Sequence, residues 1–302
     1  SSSHGSPLGE EEIVLTRKNL NWESKPFEIP EKLLNEWRNF YLRNLSVKKE
    51  WNLKNKDIIN SDRYKEIFDL NLSPETINSI NKFKLKHYEE QTSCATRKAS
   101  ELSLEVFNVH IDNLIGGSAD LTGSNNTKTK NMEQFNASNY NGNYIYFGIR
   151  EHAMAAVMNG IALHGGLRPY GGTFLVFTDY CRPSIRLSAL MGLPTIYIMT
   201  HDSIGLGEDG PTHQPVEHLA SLRSIPNLNV IRPCDIIETI EAWQIALESS
   251  NPSIIVLTRQ NLPLIRKEKT DENLLKKGAY CIKNYDTYHA TILATGSEVE
   301  IA

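Results

Sequence analysis

The sequence lacks the features that mark several specialised classes of protein. No apolar run is long enough to cross a membrane, and no apolar segment resembles a signal peptide. Lysine and arginine together number 32, against 36 aspartates and glutamates, so the chain has no basic surplus for binding nucleic acid. The composition therefore predicts a protein whose partners include neither nucleic acid nor membrane.

Cysteine is also scarce. The four cysteines, at positions 94, 181, 234 and 281, are isolated, and none belongs to a C-x-x-C pair. This pattern predicts reduced, partly buried thiols in an intracellular, cytoplasmic protein. The length of 302 residues allows one large domain or two ordinary ones, with ample chain for a buried core.

The two ends of the sequence are unusual. The chain starts with Ser1-Ser-Ser-His4 and ends just after an apolar run, His289–Thr295, which we predict to be a strand. A strand with no following element to cover it predicts that the chain is part of a longer protein. A recombinant tag would explain the three serines equally well.

The composition changes along the chain. Residues 1–90 are rich in Lys, Asn and Glu and contain amphipathic stretches at 30–37 and 77–83, which predicts a mostly helical connecting segment. From about residue 94, predicted helices alternate with short apolar, β-branched strands. Predicted strands cover residues 114–121, 195–199, 228–231 and 253–258. Predicted helices cover residues 97–107, 151–163, 174–190 with a break near Pro183, 215–222, and 236–247 after an Asp235 cap. This alternation predicts an α/β fold, a mostly parallel sheet covered by helices on both faces.

The loop THDSIGLGEDGPTHQP, residues 200–215, follows a predicted strand. Gly205-x-Gly207-x-x-Gly210 fits a dinucleotide fingerprint, but Pro211 prevents a helix from starting at the glycines. The two histidines of the loop are twelve residues apart, without the spacing of a specific metal site. The loop is therefore predicted to bind a polar small molecule, with a solvated surface loop as the alternative.

Other polar and aromatic side chains fall at strand ends and helix starts, where ligands of α/β proteins bind. They are Asp120, Ser124, Glu151, Arg97 and Arg259. Each has a structural alternative: Glu151 could stabilise a helix N-terminus, and the arginines could be surface charges. The stripe Phe174, Phe177 and Tyr180 indicates either core or a cofactor wall.

Together these segments resemble the transketolase family. The motifs HGSPLGEEE, TRKAS, GGSADLTGSN, YFGIREHAM, GGTFLVFTDY, THDSIGLGEDGPTHQP, IRPCD and TRQN occur in the family's order and approximate spacing. The likeness runs from His4 to the end and is weak over much of residues 20–90. It implies a thiamin-diphosphate-binding fold with a linker at 1–90, the pyrimidine-binding middle domain at 91–268 and the start of the C-terminal domain at 269–302. The diphosphate-binding domain, with the ligands of Mg²⁺ or Ca²⁺, would be missing.

The resemblance also implies roles for individual residues. Implied catalytic residues are Glu151, His213 and His4. Implied cofactor-binding residues are Glu151, Phe174, Phe177, Tyr180 and Asp120. Implied substrate-binding residues are Arg97, Ser124, His201, Asp209, His213, Arg259 and His4. Among these, Glu151 would bind the aminopyrimidine, and the arginines would bind a sugar phosphate.

The reaction implied by the resemblance is transfer of a two-carbon ketol unit from a ketose phosphate to an aldose phosphate, in the non-oxidative pentose phosphate pathway. The site would lie between the subunits of a homodimer, and the fragment alone would be inactive. The alternatives are the pyrimidine-binding subunit of a split thiamin-dependent enzyme, a formaldehyde transketolase, or a deoxyxylulose-phosphate synthase relative.

Overall fold

The computed structural model describes residues 5–287 and 289–302 and divides the chain into two compact units, Ser1–Lys65 and Glu66–Ala302. The helices of the first ninety residues are α1 (Glu10–Asn19), α2 (Glu31–Lys54), α3 (Lys56–Ile59), α4 (Asp62–Phe68) and α5 (Pro74–Glu89). The first four contain no buried residue, whereas α5 packs into the larger unit. In the described part of the chain, no helix is both long and apolar enough to span a membrane.

The larger unit is built around a parallel sheet of six strands. In chain order the strands are β2 (Leu114–Ser118), β3 (Tyr144–Tyr146), β4 (Arg168–Phe174), β5 (Ile196–Thr200), β6 (Asn229–Ile231) and β7 (Ser253–Leu257), and they lie side by side in the order β3-β2-β4-β5-β7-β6. A separate antiparallel pair joins β1 (Cys94–Ala95) to β8 (Asn261–Leu262). The helices of this unit after α5 are α6 (Thr96–His110), α7 (Thr122–Asn125), α8 (Glu151–His164), α9 (Thr178–Met191), α10 (His218–Arg223), α11 (Ile236–Glu248) and α12 (Glu298–Ile301).

Helices cover both faces of this sheet. Alternate residues of β5 point to opposite faces, because successive side chains of a strand alternate. Ile196 and Ile198 pack with residues of α5, α6 and α11, whereas Tyr197 and Met199 pack with residues of α8, α9 and α10. The predicted α/β fold with a mostly parallel, doubly covered sheet is confirmed.

Strand β4 was not predicted from the sequence, and the helix predicted over residues 174–190 was wrong at its start. Phe174 is the last residue of β4, and α9 begins only at Thr178 and continues through Pro183. The sequence of β4, RPYGGTF, does not predict a strand, because glycine and proline are rare in strand interiors. The reason for Gly171 is packing: a Cβ there would lie 2.6 Å from the sulfur of Met158, which leaves room for no side chain.

The strand predicted at residues 289–295 is also absent. The described residues there pair with no strand, and the side chains of Ile292 and Leu293 are 70% and 87% exposed. An apolar run becomes a strand when a neighbouring strand satisfies its backbone and a core covers its side chains. Neither condition holds for this segment.

Candidate active site

The carboxyl ends of four adjacent strands bring the predicted site residues to one edge of the sheet. Asp120 follows β2, Phe174 ends β4, His201 follows β5 and Arg259 follows β7, and these strands are neighbours in the order β2-β4-β5-β7. The loops after parallel strands form the usual ligand crevice of α/β folds. The topology therefore supports a binding site at this edge.

Aromatic rings form one wall of the site. The ring of Phe174 stacks on the imidazole of His201, with 3.7 Å between centroids, and lies nearly parallel to the ring of Phe177 at 5.6 Å. His213 presents its ring at 5.4 Å from Phe177, and Tyr180 lies 5.8 Å from Phe177. Tyr180 is 65% exposed, so a core role for the whole stripe is wrong. The rings leave apolar surface available to a flat ligand.

Two guanidinium groups meet at the same edge. Arg97, at the start of α6, donates to the carbonyl oxygen of Ser124 at 2.7 Å, and Arg259 donates to the carboxylate of Glu208 at 3.0 Å. Burial lowers the pKa of Arg97, the positive charge of Arg259 lowers it further, and Asp209 opposes both. Two neighbouring cations, of which Arg259 is paired with the carboxylate of Glu208, favour an anionic ligand.

His201 is buried beside these cations. Its backbone is left-handed, with φ of 61°, and its Nδ1 lies 2.9 Å from the hydroxyl of Thr200. Burial lowers the pKa of His201 to about 4; the charge of Arg97 acts in the same direction and Asp209 opposes it. The imidazole is therefore neutral at pH 7.

Glu151 is the first residue of α8 and is 8% exposed. Within the described residues, its carboxylate has no hydrogen-bond or ion-pair partner. The helix N-terminus stabilises the negative charge, but a buried carboxylate ordinarily accepts hydrogen bonds. The side chain is therefore available to accept a hydrogen bond from a ligand.

The remaining predicted residues differ in how closely they join this cluster. Asp209 and His213 act electrostatically on His201, whereas Ser124 contributes its carbonyl oxygen to Arg97. Asp120 is exposed and left-handed, with φ of 61°. In the described structure, no hydrogen bond or ion pair links Asp120 or Glu151 to the cluster around His201. His4 lies outside the described residues.

Residue-by-residue reasoning missed two polar side chains that hold His201. Asn125 donates to the hydroxyl of Thr200 at 2.7 Å, and that hydroxyl contacts His201. Both were in quoted motifs, Asn125 as the last residue of GGSADLTGSN and Thr200 as the first residue of the loop. Their signal was position: Thr200 is the last residue of β5, and Asn125 ends the short helix α7 that follows β2.

The loop adopts the irregular course expected from its prolines. Gly207 and Gly210 have positive φ of 96° and 80°, and no helix starts at either residue. Among the described residues, the group that could hold a metal ion is Asp179, Glu217 and His218, which contains no histidine of the predicted site.

Two family models of transketolase domains match the chain. Residues 92–265 match the family model described as transketolase, pyrimidine binding domain, and residues 1–68 match the one described as transketolase, thiamine diphosphate binding domain. The chain belongs to the transketolase family. The first match lies within the predicted middle domain and the second within the segment predicted to be a linker, and the boundaries at residues 90 and 268 stay predictions.

Individual relatives extend over nearly all of the chain. A transketolase of Cereibacter sphaeroides is 53% identical over 99% of this chain, and one of Sinorhizobium medicae is 51% identical over 99%. The chain covers 46% and 44% of these two proteins, so it spans about half the length of the curated relatives it matches.

Solved structures show the same likeness. A transketolase from Pichia stipitis in complex with xylulose 5-phosphate has 36% identity and a TM-score of 0.87, with 98% of this chain and 45% of that chain covered. A second structure of the enzyme from that organism, a complex with sedoheptulose 7-phosphate, has 37% identity and a TM-score of 0.82, with 99% and 45% covered.

Proposed function

We propose that this chain supplies the pyrimidine-binding part of a transketolase, which transfers a two-carbon ketol unit from a ketose phosphate to an aldose phosphate in the non-oxidative pentose phosphate pathway. The observation that carries the proposal is the convergence of Arg97, Arg259 and His201 beside stacked aromatic rings at one edge of the sheet. A phosphate group and a flat cofactor ring match these two surfaces.

The residues present fit thiamin diphosphate. When bound, this cofactor supplies the reactive carbon that carries the two-carbon unit. Glu151 would accept a hydrogen bond from a nitrogen of the aminopyrimidine, and its unpartnered carboxylate supports that role. Phe174, Phe177 and Tyr180 would pack against the pyrimidine, and Asp120 would lie close to the cofactor. We further propose Mg²⁺ or Ca²⁺ as the accompanying metal, with its ligands outside this chain.

The sugar phosphate would lie across the cationic end of the site. Arg97 and Arg259 offer guanidinium donors to phosphate oxygens, and His201 and Ser124 lie beside them. Asp209 and His213 would face the sugar hydroxyls and the carbonyl, together with His4. Solved relatives bound to xylulose 5-phosphate and sedoheptulose 7-phosphate support this class of substrate.

We also propose a homodimer with the site at the subunit interface. Helices α8 and α9 pack together and expose an apolar face that includes Val157, Leu187 and Leu190, which are 44%, 46% and 69% exposed. Exposed apolar side chains grouped on two packed helices favour an interaction site. Glu151 heads the same helix as Val157, so a partner on this face would lie near the cofactor site.

Four free cysteines support a cytoplasmic location.

The decisive experiment is a transfer assay on the full-length protein. Purified enzyme is freed of cofactor, and transfer from xylulose 5-phosphate to an aldose phosphate is measured before and after thiamin diphosphate and Mg²⁺ are restored. We expect transfer only after restoration. Cleavage of the donor without transfer to the acceptor, or transfer without added cofactor, would overturn the assignment.

A further inference from the structure

A chain of buried polar groups leads from the sheet to His201. The hydroxyl of Ser118 lies 2.9 Å from the side-chain oxygen of Asn125 and 3.1 Å from the carbonyl oxygen of Gly172, which share its one hydrogen, and the amide nitrogen of Asn125 donates to the hydroxyl of Thr200 at 2.7 Å. That hydroxyl lies 2.9 Å from Nδ1 of His201. The first three side chains are fully buried, and His201 is 2% exposed.

With the amide nitrogen of Asn125 facing Thr200, the hydrogen atoms between Thr200 and His201 can be assigned by counting donors. Thr200 has one hydroxyl hydrogen, and its hydroxyl oxygen already accepts a hydrogen bond from the amide of Asn125. Its other side-chain partner among the described residues is Nδ1 of His201. A buried hydroxyl hydrogen is costly to leave unbonded, so Thr200 donates to Nδ1, which is then unprotonated. A neutral imidazole with a bare Nδ1 carries its hydrogen on Nε2.

The backbone and two neighbours keep the ring in this orientation. His201 has the left-handed conformation that few side chains adopt, and its ring stacks on Phe174 at 3.7 Å. The next residue, Asp202, is fixed by Arg232, whose Nε donates to a carboxylate oxygen at 2.8 Å and whose Nη2 lies 2.7 Å from the same oxygen in an ion pair. The left-handed backbone and the stacked ring of Phe174 therefore hold the imidazole, and its tautomer depends on Thr200.

The tautomer determines how His201 would interact with a bound anion. Arg97 and Arg259 lie close enough to act on its charge, so an anion at this edge faces the imidazole as well as the guanidiniums. A protonated Nε2 offers a hydrogen bond to an anionic oxygen, whereas a bare Nε2 would present a lone pair and repel it.

We propose that Asn125 and Thr200 are positioning residues that fix His201 as the Nε2-protonated tautomer, so that it donates a hydrogen bond to a phosphate oxygen of the substrate. The substrate in this inference rests on the proposed function. The tautomer itself does not, and it can be measured without any activity.

The test is ¹⁵N NMR of histidine-labelled protein at pH 7, with the His201 signals assigned by their loss in His201→Asn. We expect a pyridine-type shift for Nδ1 and a pyrrole-type shift for Nε2. Asn125→Asp replaces the amide donor by an acceptor, so the Thr200 hydroxyl would donate to the new carboxylate and accept from Nδ1. The two shifts should then exchange.

Thr200→Val removes the hydroxyl and should give a mixture of tautomers. Thr173→Val is the matched control, because Thr173 is also fully buried and its hydroxyl has no partner among the described residues. It should leave the spectrum unchanged. A protonated Nδ1 in the wild type would overturn the inference. An unchanged His201 spectrum in both Thr200→Val and Asn125→Asp would also overturn it.

Kinetics separate this inference from the proposed function. In the full-length enzyme, Thr200→Val should raise KM for a phosphorylated donor by roughly two- to tenfold and leave KM for hydroxypyruvate unchanged. If the expected tautomer is found but KM changes equally for both donors, the positioning role of Asn125 and Thr200 stands and the phosphate role of His201 is refuted.

Discussion

Glu151 is a buried carboxylate for which the described fold supplies no hydrogen-bond donor. In the proposed site its donor is the cofactor, so Glu151→Gln should lower turnover of the full-length enzyme by about ten- to a hundredfold at saturating thiamin diphosphate. This is the loss expected for a hydrogen bond to a charged group, about 1.5–3 kcal/mol. Glu105→Gln, on the exposed side of α6, is the control and should be neutral. Near-normal turnover of Glu151→Gln would refute the assignment.

Arg97 and Arg259 hold partners that a phosphate could replace, a carbonyl oxygen and the exposed carboxylate of Glu208. Arg97→Ala and Arg259→Ala should each raise KM for phosphorylated donors about tenfold or more, with little change in KM for hydroxypyruvate, which has no phosphate to lose contacts. Steady-state kinetics with both donors measure the split. Arg223→Ala, an exposed arginine of α10, should change neither value. Equal effects on both donors would show that the two arginines are structural.

His201 links pH to stability because burial lowers its pKa to about 4. The unfolded chain binds a proton on this residue below its ordinary pKa of about 6.5, whereas the folded chain does not until about pH 4. Stability is therefore lost as pH falls through this window, by up to about 2 kcal/mol between pH 7 and pH 5. His201→Asn keeps a residue that tolerates the left-handed backbone and removes this loss.

Urea unfolding at pH 7 and pH 5 compares the two proteins. The comparison of two proteins is needed because Asp235, whose pKa burial raises to about 6, makes both of them more stable as the pH falls. The wild type should lose more unfolding free energy than His201→Asn between the two pH values. Equal losses would contradict a neutral, buried His201.

At the scale of elements, the N-terminal cap of helix α11 does more than start the helix. Asp235 accepts from the backbone N–H of Glu238 with one oxygen and from the N–H groups of Ile265 and Arg266 with the other. Asp235→Ala removes the cap and leaves two further N–H groups without their acceptor. We expect a loss of about 2–4 kcal/mol in unfolding free energy.

Ser73→Ala is the matched comparison, because Ser73 caps α5 through Thr76 alone, whose N–H donates to the serine hydroxyl and whose own hydroxyl lies 2.9 Å from it. Its loss should be about 1 kcal/mol. Chemical denaturation measures both variants. Similar losses would show that the bonds to residues 265 and 266 add little.

The sequence predicted elements well where local chemistry determines them. The Asp235 cap and the double glycine after residue 164 marked helix ends, and α11 and α8 begin and end within two residues of the prediction. Strand β4 was not predicted because its glycines make room for side chains from other parts of the chain, Met158 at Gly171 and Thr127 at Gly172. The strand predicted at residues 289–295 was wrong for the converse reason, since the segment has apolar residues but no neighbouring strand.

The candidate site shows the same limit. Charged and aromatic residues at strand ends were predicted because their chemistry is visible in a motif, and the topology then brought Arg97, Arg259 and His201 together. Asn125 and Thr200 were missed because their role depends on a hydrogen bond across 75 residues. Such a partnership follows from the strand order, which local patterns do not contain.

At the scale of the whole molecule, helices α8 and α9 leave apolar side chains of the larger unit exposed to solvent. Val157→Lys and Leu190→Lys place charges on this face, and burying either charge in a subunit interface would cost several kcal/mol. In the full-length enzyme, each variant should therefore shift the protein from dimer to monomer and reduce ketol transfer in proportion. Sedimentation velocity and the transfer assay, run at the same protein concentration, measure the two effects.

Val109→Lys is the control for that shift, because Val109 is 66% exposed on α6, which packs on the opposite face of the sheet. It should leave both the dimer and the activity intact, while circular dichroism confirms that all three variants fold. Monomers that retain full activity would place the complete site within one chain. A dimer that survives both lysines on α8 and α9 would show that the subunits meet on another surface.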